Sequence, residues 1–164
     1  MIGNIKIIAV CMCKVYDERN YRIIRALNNF AVENDYRLFV YHTCSDLYWK
    51  TLSEKGEQSV FDLIDYNITD AVVTFEEGVY AENVMTKIRM DAAKYGKPVI
   101  SVGVEHDDCI SIKFGYAKGF EQVVRHVIEQ HGVRDIGFIA GRKDEENSEE
   151  RIAVFRKLLE EYDI

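Results

Sequence analysis

The chain has 164 residues, of which 48% are hydrophobic and 30% are charged, a mix that is ordinary for a globular domain. Its net charge of −7 argues against nucleic-acid binding by this segment, because phosphate contacts need clustered lysine and arginine. No apolar run approaches the ~20 residues that span a bilayer, and the first residues lack a secretory signal pattern. Four cysteines in apolar settings fit reduced thiols. We therefore expect a cytoplasmic protein without membrane contact.

Apolar runs alternate with amphipathic stretches along the chain. Residues 5–13 are almost continuously apolar, which is typical of a central parallel strand covered on both faces. Further short runs predict strands at residues 37–42, 71–75, 98–102, 109–112 and 135–140. Helical spacing predicts helices at residues 18–34, 58–65, 83–95 and 115–130, and a last helix from residue 147.

The apolar faces of these helices indicate which side chains are buried. Residues spaced i, i+3, i+4 and i+7 place Phe30 on the inner face of the first helix, and Tyr95 and Val123 on those of the third and fourth. Asn147 and Glu150 have the spacing of a capping box at the start of the last helix.

This order of elements predicts an α/β fold with a doubly wound parallel sheet and right-handed crossovers. In such sheets ligands bind at the carboxyl ends of the strands. The loops expected at that edge are residues 14–17, 42–49, 76–80, 103–108 and 141–147.

Several kinds of site are excluded or disfavoured by the residues in these loops. The glycine-rich loops of dinucleotide-binding proteins and P-loop NTPases are absent, so we expect no nucleotide cofactor. Cys13, His42 and Cys44 follow two strands, but their spacing matches no metal signature and no third group orients His42 as a base. We therefore expect no metal, no cofactor and no catalytic residue.

Acidic and aromatic residues at the same edge leave two interpretations open. The run from Glu105 to Asp108, with Glu76 and Glu77, fits a solvated acidic rim, and a cation- or polyol-binding role is the alternative. Tyr16 and Trp49 could stack on a ligand, or form an aromatic cover over apolar surface.

The last third of the chain carries a family resemblance. Residues 115–120 (GYAKGF), 131–141 (HGVRDIGFIAG) and 148–151 (SEER), followed by Phe155, resemble the type 1 periplasmic-binding-protein/LacI-like ligand-binding domain. Residues 45–50 (SDLYWK), in the middle of the chain, resemble the LacI-like sensor domains that precede GGDEF (diguanylate cyclase) domains in some bacterial proteins.

The resemblance implies two lobes that close around a ligand. Residues 1–113 would form the first lobe, and residues 114–164 would begin a second lobe that the chain does not complete. Arg151 matches the helix arginine that binds the effector in the family, whereas Glu149 and Gly103-Val104 replace other polar ligand contacts, which argues against an ordinary sugar. The ligand-binding residues expected are Tyr16, Asp17, Trp49, Glu76, Glu105, Phe114 and Arg151.

These expectations combine into a leading hypothesis and an alternative. The leading hypothesis is a non-enzymatic domain that senses an unidentified small molecule and regulates a diguanylate cyclase. The alternative is the effector-binding domain of a LacI-type transcription regulator without its helix-turn-helix. An enzyme that uses the acidic edge is a third class, which no nucleophile–base pair supports. The resemblance alone also implies a homodimer formed through helices of the first lobe.

Overall fold

The structure, a computed structural model, describes residues 5–77, 79–143 and 145–164. The first four residues, on which the expected lack of a secretory signal partly rests, lie outside this range, as do Gly78 and Asp144 in two predicted ligand loops. The strands are β1 (Lys6–Cys13), β2 (Tyr36–Thr43), β3 (Ala71–Phe75), β4 (Val99–Val102) and β5 (Ile110–Ile112). The helices are α1 (Glu18–Glu33), α2 (Leu52–Gln58), a 3₁₀ helix (Ser59–Leu63), α3 (Glu82–Lys94), α4 (Tyr116–His131) and α5 (Glu146–Glu161).

The five strands form one parallel sheet in the order β2-β1-β3-β4-β5. This order confirms the predicted α/β doubly wound sheet. The strand order reverses beside β1, where Cys11 pairs with Tyr41 of β2 on one side and Thr74 of β3 on the other. In sheets of this order the crevice between β1 and β3 is the usual ligand position.

The core of the sheet follows from the alternation of side chains along β1. Ala9, Cys11 and Cys13 lie on one face and belong to the larger buried cluster, together with Met85 and Ile88 of α3. Val10 and Met12 alternate with them and are also buried. A strand buried on both faces explains why β1 reads as a continuous apolar run.

Three residues expected on buried helix faces are exposed instead. Phe30 is 64% exposed and Val123 is 61% exposed, while their neighbours Ala31 and Val124 are buried. Adjacent residues are rotated by about 100° around a helix axis, so burial of one turns the other outward. Tyr95 follows the end of α3, and its exposed ring stacks on Tyr66 at 5.5 Å.

The helix expected at residues 58–65 begins earlier and changes type. Thr51 and Glu54 form a capping box that starts α2 at Leu52, and the 3₁₀ helix Ser59–Leu63 follows. Phe61 and Ile64 are buried as the apolar pattern indicated. The prediction located the buried residues and missed the capping signal ahead of them.

The strand expected at residues 135–140 is not formed. A strand needs a neighbour for its ladder of hydrogen bonds, and the part of the chain that the structure describes offers none to this segment. Its side chains still alternate: Phe138 packs against Phe120 and Phe155, each at 5.0 Å between ring centroids, whereas Ile139 is 97% exposed.

The capping box expected at Asn147 and Glu150 is also absent. Helix α5 starts at Glu146, and Glu145 precedes it as the capping residue. The Ser148 hydroxyl is fully buried and donates a 2.6 Å hydrogen bond to Glu145 Oε2. A buried hydroxyl needs such a partner, which explains why Glu145 occupies this position.

The chain divides into two compact units, Met1–Lys113 and Phe114–Ile164. The first unit contains the sheet, and the second contains α4 and α5, whose buried residues are Val124, Ile128 and Leu158. Within the described residues, no helix has both the length and the apolar character needed to cross a membrane.

Candidate ligand-binding edge

The carboxyl ends of β1 and β2 are tied together by side chains. Lys14 Nζ lies 2.9 Å from Asp46 Oδ2, and this hydrogen bond holds the pKa of Asp46 below its ordinary value. The Asn20 amide donates to the carbonyl oxygens of Cys13 and Lys14 at 3.0 and 3.1 Å. The loop that leaves β1 therefore has a fixed path across the switch point.

Tyr16 and Asp17 lie on this loop with their side chains in solvent. Tyr16 is 80% exposed, and its ring meets His42 of β2 edge-on at 5.5 Å. Asp17 immediately precedes α1, and its side chain makes no capping hydrogen bond. Both residues stand at the carboxyl edge, with polar atoms available to a ligand.

Trp49 is presented by a loop whose backbone is held by two carboxylates. Glu54 is buried and accepts from the backbone N–H groups of Trp49 and Thr51 at 3.2 and 3.0 Å. Glu57 Oε2 accepts from the N–H groups of Cys44 and Ser45 at 2.8 and 2.9 Å. Backbone donors that would otherwise need water are satisfied within the protein, so the loop is pre-organised.

The aromatic part of this loop projects outward. Trp49 is 76% exposed and packs edge-on against Tyr48, with 4.6 Å between ring centroids, and Tyr48 packs in the same way against Tyr80 at 5.2 Å. Leu47 and Lys50 flank the pair with positive φ angles of 62° and 54°. Such backbone is uncommon outside glycine and persists only where the surroundings impose it.

Glu76 occupies a different environment from the other acidic residues. It is buried, and its carboxylate accepts from Thr74 Oγ1 at 2.8 Å, from Arg89 Nη1 at 3.0 and 3.1 Å, and from His106 Nε2 at 2.9 Å. Glu105 is mostly exposed, 3.6 Å from Lys113 Nζ. Glu76 is thus satisfied internally, while Glu105 faces solvent.

Phe114 and Arg151 belong to the second unit. The Phe114 ring lies 6.0 Å from the ring of Tyr116 at the start of α4. Arg151 is half-buried on the first turns of α5, where its Nε donates to Asn147 O at 3.0 Å and its Nη2 to Ser148 Oγ at 3.4 Å. These contacts orient the guanidinium near the start of the helix.

Sequence reasoning missed two residues that organise this edge, Arg89 and Glu54. Arg89 follows Met85 by four positions and so falls on the buried stripe of α3, where an arginine requires an acidic partner. Glu54 completes a Thr-x-x-Glu capping box that is legible in the sequence. Both signals were available from spacing alone.

Cys13, one of the cysteines at the edge, has the properties of a structural thiol. Cys13 Sγ accepts a hydrogen bond from Thr43 Oγ1 at 2.9 Å, and burial raises the pKa of Cys13 to about 11. A thiol that stays protonated is a poor nucleophile and metal ligand. Across the described residues, no three histidine, cysteine or acidic side chains gather as a metal site.

A groove of about 290 Å³ lies elsewhere, between the 3₁₀ helix and α3. Tyr66 lines it, and Lys87 crosses it to reach Asp62 at 2.5 Å and Asp91 at 3.8 Å. The charges of Lys87, Asp62 and Asp91 pair with one another, so these three side chains offer less to a ligand. We therefore retain the carboxyl edge as the candidate site.

No protein-family model matches the chain, and no curated protein matches it. Several solved structures do match the chain. The chain is similar to the transcription regulator CcpA of Lactococcus lactis, at 20% identity and a TM-score of 0.70 over 97% of this chain and 55% of that one. It is also similar to the LacI-family regulator CcpA of Weissella paramesenteroides with bound glucose, at 15% identity and a TM-score of 0.68 over 97% and 55% of the two chains.

A third structure is the lac repressor dimer bound to operator and the anti-inducer ONPF, at 14% identity and a TM-score of 0.64 over 96% and 52% of the two chains. The chain thus spans about half the length of these regulators. At such low identities the likeness shows the fold alone. That fold is the LacI-type, periplasmic-binding-protein-like one, as the sequence predicted, and these neighbours are regulators rather than enzymes.

Proposed function

We propose that the chain is the small-molecule-binding part of a LacI-type transcription regulator and has no catalytic activity. The observation that carries this proposal is the match of 96–97% of the chain to regulators whose structures contain glucose or an anti-inducer. The proposed site is the carboxyl edge of the sheet. Its loops present Tyr16, Asp17, Trp49 and Glu105 to solvent, which suits recognition of a polar molecule with an apolar face.

The two units correspond, in this proposal, to a first ligand-binding lobe and the beginning of a second. Phe114 and Arg151, which belong to the second unit, stay predicted ligand contacts. Glu76 would brace the edge instead of contacting the ligand, because Thr74, Arg89 and His106 already satisfy its carboxylate. A ligand with a higher affinity for one conformational state of the protein would shift the population toward that state and so alter the output.

The proposal also concerns which activity the ligand-binding domain regulates, DNA binding or diguanylate cyclase activity. Residues 45–50 suggested a diguanylate cyclase, but in the structure this segment includes residues that build the loop, such as Asp46, which pairs with Lys14. The structural neighbours named above are transcription regulators and therefore favour that output. The flanking coding sequence tests the choice: an upstream helix-turn-helix supports a regulator, and a downstream Gly-Gly-Asp/Glu-Glu-Phe domain contradicts it.

Ligand sensing is tested by thermal-shift measurements on the full-length protein with panels of sugars, nucleosides and amino acids. A ligand that binds the folded state raises the melting temperature. We expect Arg151→Ala to abolish this shift, and Arg156→Ala, an exposed arginine on the same helix, to retain it. If no compound shifts the wild-type protein, the sensing proposal is wrong; if Arg151→Ala keeps the shift, Arg151 lies outside the site.

Location and assembly are part of the same proposal. A cytoplasmic location follows from the proposed regulatory role, with DNA bound by another segment. Dimerisation through helices of the first unit stays a prediction, in line with the dimeric state of the lac repressor neighbour. Light scattering tests this prediction by comparing the full-length wild-type protein with a Phe30→Ser variant, in which an exposed side chain of α1 is replaced.

A further inference from the structure

Two histidines lie close together at the carboxyl end of α4 and have no part in the proposed function. His126 and His131 are both exposed, and His131 is the last residue of the helix. Their Nε2 atoms are 3.2 Å apart, their ring planes are inclined at 77°, and their ring centroids are 4.9 Å apart. Two ring nitrogens, each able to bind a proton or a metal ion, therefore meet at the surface of the helix.

The orientation of the two rings makes the hydrogen bond between them a poorly aligned one. In a well-aligned N–H···N bond both rings point along the line that joins the nitrogens, and each nitrogen lies a ring radius ahead of its own centroid. The centroids would then be farther apart than the observed 4.9 Å. At least one ring is therefore tilted away from that line, and a hydrogen bond weakens as its angle closes.

The separation of the two nitrogens fits a shared metal ion. Imidazole nitrogen binds zinc at about 2.0–2.1 Å, so two such nitrogens on one ion, at an angle between a right angle and the tetrahedral angle, are about 2.8–3.4 Å apart. The observed 3.2 Å falls inside this range. No third histidine, cysteine or acidic side chain of the described residues joins the pair, so water would complete the coordination.

The position of the pair on α4 favours a cation and holds both histidines in a fixed frame. The carboxyl end of a helix carries partial negative charge, which attracts cations to its last turn. Gly132, with a φ angle of 63°, ends α4 directly after the pair. Val124 and Ile128 of the same helix are buried with Leu158 of α5, so packing fixes the backbone that carries the histidines. The net charge of −7 adds to the attraction of cations.

We propose that His126 and His131 form a binding site for a divalent transition-metal ion of the copper, nickel and zinc group. Imidazole nitrogen suits these ions, and copper binds most tightly of the three, whereas magnesium prefers oxygen ligands. The ion joins two positions of one helix and stabilises its last turns, because the binding free energy adds to the stability of the folded helix. Since α4 belongs to the second unit, metal binding raises the stability of that unit.

Calorimetric titration of the untagged 164-residue chain with nickel chloride tests the site. No organic ligand is present, so the outcome is independent of the proposed function. Histidine binds metal ions as the neutral imidazole, so the titration is carried out at about pH 7.5. We expect one Ni²⁺ per chain and no binding of Mg²⁺. His126→Ala and His131→Ala should each weaken Ni²⁺ binding at least about tenfold, because the second nitrogen otherwise binds intramolecularly at a high effective concentration.

Two substitutions outside the pair are matched controls. Cys44→Ser removes an exposed thiol, and His42→Gln removes an imidazole of β2, so each deletes another group that could bind nickel. Both variants should keep the wild-type affinity. His126 and His131 are exposed, so their replacement should leave the fold intact, and an unchanged circular-dichroism spectrum verifies this for each variant.

Nuclear magnetic resonance gives a second readout that identifies the ligands directly. Ni²⁺ bound with water is paramagnetic and broadens the signals of the imidazoles that bind it. Of the four histidines in the chain, His126 and His131 should broaden first at substoichiometric Ni²⁺. A wild-type chain that binds no Ni²⁺, binding that survives His131→Ala, or binding that is lost in Cys44→Ser overturns the proposal.

Discussion

Gly103 is a position at which both the backbone conformation and the packing require glycine. Its φ angle is +102°, and a Cβ atom there would lie 2.6 Å from Glu77 Cβ and 2.9 Å from the Glu77 backbone nitrogen. Both the left-handed backbone and the contact exclude a side chain. We expect Gly103→Ala to lower the free energy of unfolding by about 2 kcal/mol or more, measured by urea denaturation.

Gly56 provides the matched control for this substitution. It lies in α2 with nothing within 4 Å of the position of a Cβ atom. Alanine is the better helix former, so Gly56→Ala should raise the free energy of unfolding by about 0.5–1 kcal/mol. Equal effects of the two substitutions would contradict the structural distinction between the two glycines.

Glu54 is the residue on which the conformation of the Trp49 loop depends. Replacing it with alanine leaves the N–H groups of Trp49 and Thr51 without their acceptor and removes the capping box. We expect Glu54→Ala to cost about 1–3 kcal/mol and Glu54→Gln clearly less, because glutamine also completes a capping box. Trp49 is the single tryptophan, so its fluorescence reports the loop directly. An unchanged emission spectrum in Glu54→Ala would show that the loop is held by other contacts.

At the level of secondary structure, the strands of the sheet could be predicted from the sequence because they are buried. The run from Ile7 to Cys13 is apolar throughout, and its residues from Ala9 onward are buried on both faces of the sheet. The apolar pattern in the sequence therefore matches the burial in the structure. Every strand of the observed sheet was predicted to within about two residues. The candidate ligand-binding edge follows from this topology alone.

The strand that the sequence mispredicted depends on a neighbouring strand, which residue spacing does not reveal. The segment 135–140 has the alternation of a strand, but hydrogen bonding to a neighbour decides whether a strand exists. The cluster of Glu76, Arg89 and His106 joins residues 13 and 30 positions apart, which no local pattern connects. Among the predicted site residues, Glu76 is the one whose proposed role changes. Its side chain is buried, so we propose that it braces the edge instead of contacting the ligand.

The packing of α4 on α5 can be tested at its centre. Leu158 is fully buried against Val124 and Ile128, so Leu158→Ala should reduce the stability of the second unit by about 2–5 kcal/mol. Ile139→Ala, at an exposed position of segment 135–140, should change it by less than about 0.5 kcal/mol. Thermal unfolding followed by circular dichroism measures both. A larger loss for Ile139→Ala would mean that Ile139 packs against something in solution.

The same helix pair has an electrostatic contact with a defined pH dependence. Arg125 donates to both oxygens of Glu161 at 2.6 and 2.7 Å and holds the pKa of Glu161 below its ordinary value of 4.5. Because the folded-state pKa is lowered, the stabilisation is present above pH 4.5 and is lost as the pH falls through the lowered value.

We therefore expect Glu161→Gln to lower the melting temperature at neutral pH, and the difference from wild type to shrink on acidification below pH 4.5. Glu160→Gln, the exposed neighbour on α5, should have little effect at any pH. A difference between wild type and Glu161→Gln that grows in acid would have the wrong sign for this ion pair.

At the scale of the whole molecule, the two units differ in how much apolar surface each buries. The first unit has a sheet in which one interior strand, β1, is covered on both faces. The second has two helices and an extended segment around Val124, Ile128 and Leu158. A small core offsets less of the conformational entropy lost on folding, so the second unit should be the less stable one.

Native-state hydrogen exchange compares the two units in one experiment. Local opening free energies follow buried apolar packing, so amides of α4 and α5 should exchange at least about 100-fold faster than those of β1 and β3. Leu158→Ala should speed exchange in α4 and α5 and leave β1 unchanged, whereas Met85→Ala, in the core of the first unit, should speed exchange in β1 and β3. Equal protection of β1 and α4 in the wild-type chain, or an acceleration that Leu158→Ala spreads evenly over both units, would show that the molecule opens as one cooperative body and that its two cores do not act separately.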